Sequence, residues 1–102
     1  ADILDAFDQM LAASGPSQRK MMFKIAEALS GKDSDVAFGF FTEHLGDHLA
    51  ATARQLALEG DLGGAEHFAR LSSTINQQLG IAAAYNLDRK QTMLDVLGAI
   101  VR

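Results

Sequence analysis

The stretch LALEGDLGG, residues 56–64, carries the strongest turn signal in the chain. Gly60 favours the end of a helix, because glycine readily adopts the left-handed backbone conformation that follows a last helical turn. Asp61 is a typical N-cap of the next helix, since its carboxylate accepts hydrogen bonds from backbone N–H groups that a helix leaves free. These residues predict a tight turn between two helices.

On each side of this turn, apolar residues recur at intervals of three and four, which is the period of an α-helix. The two long segments run over 34–58, where Ser34 offers an N-cap, and over 62–85. Because the connection is so short, we expect the two helices to form a long antiparallel hairpin. Their inward stripes are Phe38, Phe41, Leu45, Leu49, Thr52 and Leu56 in the first, and Phe68, Leu71, Ile75, Leu79 and Ala82 in the second.

Three shorter segments have the same period, and they cover residues 2–13, 16–30 and 88–101. Pro16 suits the first turn of a helix, and Gly31 suits the position just after the end of one. Asp88 followed by Gln91 has the spacing of a capping box. No stretch alternates apolar and polar residues as a strand would. We therefore predict an all-α, single-domain bundle of about five helices over residues 1–102, built on the long hairpin.

The composition limits the classes of function. The chain has 102 residues, of which 48% are hydrophobic and 22% charged, so it holds enough apolar surface to fold. Its formal net charge of −4 disfavours broad binding to nucleic-acid phosphates. With no cysteine, it has neither disulfides nor thiolate metal ligands. No apolar run approaches the roughly 20 residues of a membrane span. We expect an acidic, soluble, cytoplasmic protein without nucleic-acid or membrane partners.

Small residues recur every seven positions in the long segment before the turn, at Gly39, Gly46, Ala53 and Gly60. A glycine inside a helix costs about 1 kcal/mol relative to alanine, so the two internal glycines need a reason. Close approach of the two hairpin helices is one explanation. Close approach of a partner chain or a bound peptide helix is the other.

Glu43, His44, Asp47 and His48 form the densest group of candidate metal ligands. Histidines four residues apart lie on one side of a helix, where two imidazoles can face one metal ion. A carboxylate of Asp47 or Glu43, or the more distant His67, would supply a third ligand. In the alternative interpretation, both histidines lie at the edge of the apolar stripe, partly covered and hydrogen-bonded. The sequence indicates no cofactor apart from this divalent metal.

Several apolar residues lie outside the inward stripes. Val36, Phe40 and Leu58 project away from the stripe of their segment, among charged residues. The last segment has a broad apolar arc that includes Leu94 and Val101. Either other helices of the bundle cover these five residues, or they form an interface with another protein or a second copy.

The leading hypothesis is a non-catalytic protein–protein interaction domain, such as an adaptor, assembly chaperone or small regulator, that self-associates as a homodimer. It rests on the lack of a recognisable catalytic constellation and on the apolar residues outside the stripes. Burial of Phe40, Leu58 and Val101 within one chain would argue against self-association. The alternative is a helical bundle that binds a metal or small ligand through the histidine group. A third hypothesis is phosphate transfer through His67, which Arg70 follows by three residues.

Overall fold

The computed structural model describes residues 2–102, with side chains from Ile3 onward. Within this range it contains α-helices and no strand, so the prediction of an all-α, single-domain bundle of about five helices is confirmed. Every predicted helix end lies within one residue of an observed end. The helices are α1 (Asp2–Ala12), α2 (Gly15–Ser30), α3 (Asp35–Leu58), α4 (Leu62–Ala84) and α5 (Arg89–Val101). None of these helices is both long enough and apolar enough to cross a membrane.

The core lies where α1, α2 and α5 meet the part of α3 that precedes residue 50. Phe7 of α1 is fully buried, and its ring meets that of Phe41 edge to face with 5.6 Å between the centroids. The contribution of α4 to the buried set is a single residue, Ile75. Among the described side chains, the buried apolar ones are Ala6, Phe7, Met10, Ile25, Ala26, Leu29, Phe41, Leu45, Leu49, Ile75, Met93, Val96 and Leu97.

Backbone hydrogen bonds close the turn between α3 and α4. Gly60 has a φ of +85°, and its N–H donates to the carbonyl of Ala57 at 3.1 Å. The N–H of Asp61 donates to the carbonyl of Leu56 at 2.8 Å, which completes a Schellman motif. The carboxylate of Asp61 accepts from the N–H of Gly64 at 2.8 Å, so the predicted N-cap is confirmed. The chain thus ends one helix and begins the next within three residues.

The helices differ in how much they contact one another. α3 and α4 share the most extensive contact, while α1 and α5 both pack mainly against α2. No residue between 50 and 74 is buried. We call residues 50–74 the distal segment; it comprises the end of α3, the turn and the first half of α4. Phe68 and Leu71 are its links to the core, and both are only half-buried.

The connection between α2 and α3 differs from the prediction at two residues. Ser34 is buried and does not cap α3 with its side chain. Its hydroxyl instead lies 2.9 Å from the carbonyl oxygen of Leu29 and 2.6 Å from that of Gly31, so it ties the end of α2 to the start of α3. Gly31 follows α2 as predicted, but its backbone is extended. Asp33 takes the left-handed conformation in this connection, with a φ of +61°.

The start of α5 shows half of the predicted capping box. The carboxylate of Asp88 accepts from the N–H of Lys90 at 2.9 Å and from that of Gln91 at 3.4 Å. The side chain of Gln91 does not return to the backbone of Asp88, because its amide donates to Asp95 at 2.9 Å. One carboxylate therefore caps α5 without the reciprocal bond.

Candidate interaction surface

The predicted interface residues fall into two groups. Val36, Phe40 and Leu58 are exposed by 86%, 59% and 84%. Leu94 and Val101 are half-buried, and both pack against the core. Burial inside one chain thus accounts for part of the broad apolar arc of α5. It does not account for the three residues of α3, which stay accessible to another molecule.

The three exposed residues lie on the side of α3 opposite its buried residues. Phe40 follows Val36 by about one helical turn, and Leu58 follows Phe40 by about five turns. Exposed charged residues share this side of the helix. We call this surface the outer face of α3; it consists of Val36, Phe40, Glu43, Asp47, Ala51, Arg54 and Leu58, which are all exposed.

Gly39 and Gly46 lie along one flank of the outer face. A methyl group added at either glycine would meet no neighbouring atom within 4 Å. Close packing against α4 is therefore not the reason for these two glycines, and the first explanation offered for them is wrong. They leave open space beside the outer face.

His44 and His48 lie along the other flank, between the outer face and the core. Both are half-buried. The ring of Phe7 meets both imidazoles edge to face, with centroid distances of 6.2 Å to His44 and 5.3 Å to His48. Each histidine is therefore partly covered by an aromatic neighbour from α1.

The candidate carboxylate ligands, Glu43 and Asp47, belong to the exposed outer face. In the part of the chain that the structure describes, no three His, Asp or Glu side chains come together as metal ligands. The more distant candidate His67 is exposed, and its ring lies 5.2 Å from that of Phe68. The metal site at His44 and His48 stays a prediction.

A second exposed apolar region lies where α4 turns into α5, and it was not predicted from the sequence. Ile81, Tyr85 and Leu87 are exposed by 47%, 75% and 52%. The signal was present, because Ile81 and Tyr85 lie about a quarter to a third of a turn away from the inward stripe of α4. A cavity of about 440 Å³ opens beside this region, and its lining is Ser30, Phe38, Leu79, Ala82, Ala83, Asn86, Leu87, Arg89 and Thr92.

The positive charge beside this cavity is engaged within the chain. The guanidinium of Arg89 lies over the ring of Phe38 at 4.3 Å from its centroid, and it donates to Asp35 at 2.9 Å. It also donates to the hydroxyl of Ser34 at 3.3 Å. Arg89 therefore joins α5 to the start of α3 and is not a free anion site.

The side-chain oxygen of Gln78 is buried nearby and accepts no hydrogen bond from the described residues.

Unlike Arg89, the charged side chains of the outer face form no ion pair within the described residues. The described ion pairs are Glu66–Arg70, Asp35–Arg89 and Glu27–Lys90, so Glu43, Asp47 and Arg54 pair with no described side chain. The outer face thus combines three exposed apolar residues with unpaired charges of both signs. No protein family, curated protein or solved structure matches this chain, so these residues carry the functional argument.

Proposed function

We propose that this chain is a non-catalytic, cytoplasmic protein–protein interaction domain, acting as an adaptor, assembly chaperone or small regulator, and that it self-associates as a homodimer. The exposure of Val36, Phe40 and Leu58 on one side of α3 carries the proposal. Full burial of a side chain of this kind is worth about 1.5–3 kcal/mol, so a partner that covered them would gain affinity.

These residues differ from the scattered apolar side chains of an ordinary surface. Isolated exposed apolar residues are common and need no explanation. Here Val36 and Phe40 adjoin along the same side of one helix, and open space lies beside them at Gly39. Aromatic residues are enriched at protein interfaces, where they supply large contact areas at low entropic cost. The arrangement therefore fits a contact site better than chance exposure.

The size of the outer face sets the expected affinity. α3 has 24 residues, which corresponds to a length of about 36 Å. A contact along one side of a single helix lies at the low end of specific interfaces, where complexes are weak or transient. We therefore expect a dimer that dissociates at roughly micromolar concentration.

Light scattering coupled to size exclusion, over a dilution series, tests the proposal. The wild-type protein is expected to shift from monomer to dimer as its concentration rises. Phe40→Ala is expected to move this transition to higher concentration. Phe23→Ala is the matched control, since Phe23 is exposed by 52% on α2, compared with 59% for Phe40 on α3.

Two outcomes would contradict the proposal. A monomer at every concentration would exclude self-association. A dimer that weakens equally in the Phe23 and Phe40 variants, or in neither, would show that the contact is not specific to the outer face of α3. Weakening by Phe40→Ala alone supports the outer face as the contact site.

A further inference from the structure

Two pairs of outer-face residues, Phe40 with Leu58 and Glu43 with Arg54, are arranged symmetrically along α3. Leu58 follows Phe40 by 18 residues, which is about five turns and about 27 Å of helix. The two residues therefore lie on the same side of the helix, and Leu49 marks their midpoint. Arg54 follows Glu43 by 11 residues, about three turns, and the midpoint of this pair lies within one residue of Leu49.

Such symmetry is what a twofold axis requires of a helix that pairs with its own copy. When the axis passes between the two helices at right angles to both, the second helix lies antiparallel, and residue i meets residue j where j meets i. This rotation does not exchange the two edges of the face, so residues on one edge meet residues on the same edge of the second copy. Contacting residues must therefore share a side and lie at equal distances from the axis. About an axis at the level of Leu49, Phe40 and Leu58 meet both conditions, and Glu43 and Arg54 meet them to within one residue.

The charges favour the antiparallel arrangement over the parallel one. In the antiparallel pair, Glu43 faces Arg54 of the second copy, and Asp47 faces Ala51 of the second copy. A parallel pair would place Glu43 on Glu43 and Asp47 on Asp47, and facing like charges oppose association. Antiparallel helix dipoles also attract each other, whereas parallel ones repel. The pair of Glu43 and Arg54 is thus complementary to itself, which favours a second copy as the partner.

We infer that the outer face of α3 binds the outer face of a second copy, antiparallel, about a twofold axis that passes between the two helices at the level of Leu49. This inference rests on the self-association proposed above and adds the partner, the direction and the residue pairs. Phe40 of each copy covers Leu58 of the other. Glu43 of each copy forms an ion pair with Arg54 of the other.

Reversing the charges one at a time tests the ion pairs. Glu43→Arg places two arginines opposite each other at both pairs, and Arg54→Glu places two glutamates there. Each variant alone is expected to dimerise roughly tenfold more weakly than the wild type. A mixture of the two variants has opposite charges at both pairs, so it is expected to form mixed dimers of near wild-type affinity. The double variant is expected to recover in the same way.

Sedimentation velocity of each variant and of the mixture measures these affinities. Asp8→Arg is the control, because Asp8 is exposed on α1, and the variant changes the net charge as Glu43→Arg does. Its dimerisation is expected to follow the wild type. Circular dichroism of each variant checks that the helices remain, since all the substituted residues are exposed.

Cross-linking tests the direction independently. The chain has no cysteine, so a single introduced cysteine reports one position without background. Phe40→Cys mixed with Leu58→Cys is expected to give mostly mixed dimers with a short bis-maleimide. Phe40→Cys alone is expected to give little product, because its two copies lie about 27 Å apart along the antiparallel pair. A parallel pair would give the reverse result.

The outcomes separate the inference from the proposed function. Wild-type protein that stays monomeric overturns both. A wild-type dimer whose two charge variants fail to complement each other overturns the antiparallel pairing alone, and so does a Phe40→Cys product linked chiefly to itself. In these last two cases self-association stands, with a different contact.

Discussion

The two halves of the long helix α3 are held in different ways. Before residue 50, its buried side chains Phe41, Leu45 and Leu49 lie in a core to which all five helices contribute. In the distal segment, residues 50–74, no side chain is buried. One half of the helix is fixed by tertiary packing, and the other extends beyond the region that packing secures.

Local interactions dominate in the distal segment. The Schellman motif at Gly60 and the carboxylate of Asp61 satisfy backbone groups at the turn. Glu66 and Arg70 form an exposed ion pair one turn apart on α4. Each such interaction contributes about 1 kcal/mol or less, and the contact between α3 and α4 leaves Leu56, Phe68 and Leu71 only half-buried in this segment. This bundle therefore has one stable body and one extension of lower stability, which is expected to open first.

Replacing the central core residue is the strongest test of this difference. Phe7→Ala removes an aromatic ring that contacts Phe41 and both histidines of α3. We expect the free energy of unfolding to fall by about 3–5 kcal/mol, because a cavity replaces the ring. Phe40→Ala is the matched control and is expected to change stability by no more than about 0.5 kcal/mol. Urea unfolding at low protein concentration measures both, and equal losses would contradict a core centred on α1.

The turn is the corresponding weak point of the distal segment. Gly60→Ala puts a Cβ on a residue with a φ of +85°, which costs about 1–2 kcal/mol in the left-handed region. We expect amide hydrogen exchange to accelerate in residues 50–74 and to change little around Ile25 and Leu97, which are fully buried. Hydrogen exchange followed by NMR measures this residue by residue. Uniform acceleration would mean instead that the distal segment and the body unfold as one unit.

Replacing Ser34 tests how the helices of the stable body are joined to one another. Its buried hydroxyl contacts the carbonyls of Leu29 and Gly31 and accepts from Arg89, so it links α2, α3 and α5. Ser34→Ala is expected to lower the free energy of unfolding by about 1 kcal/mol, since the carbonyls lose a donor. Ser30→Ala is the control, because its single bond to a carbonyl is exposed. An equal effect of both variants in thermal unfolding would show that Ser34 only terminates a helix locally.

The sequence was sufficient to predict the features that depend on local chemistry. Apolar spacing placed the five helices, and the Gly60–Asp61 pair placed the turn, because period, glycine conformation and carboxylate capping act within a few residues. The same information identified Phe40 and Leu58 as lying off the stripe. Whether such residues are covered depends on where neighbouring helices pack, so their exposure is known only from the fold.

Tertiary neighbours also explain where the structure differs from the predictions. Ser34 looked like an N-cap, but α2 ends close enough for its hydroxyl to bond there instead. Leu94 and Val101 are predicted interface residues that are half-buried and pack against the core, and their part in an interface stays a prediction. Gly46 suggested close helix packing, whereas the space beside it is open. In each case the residue type fitted two roles, and only the distance to another helix separates them.

The substitution Gly46→Ala is expected to have the smallest effect on stability, and to raise stability where the other substitutions lower it. An added methyl meets no atom within 4 Å, so Gly46→Ala is expected to raise the free energy of unfolding of the monomer by up to about 1 kcal/mol through helix propensity alone. Gly64→Ala in the distal segment is the matched control. There the methyl would approach the carboxylate of Asp61 to 2.5 Å and disturb the cap of α4, which offsets the gain. Thermal unfolding of dilute protein compares the two. A lower free energy of unfolding for Gly46→Ala would mean that the space beside Gly46, on the flank of the outer face, is already occupied.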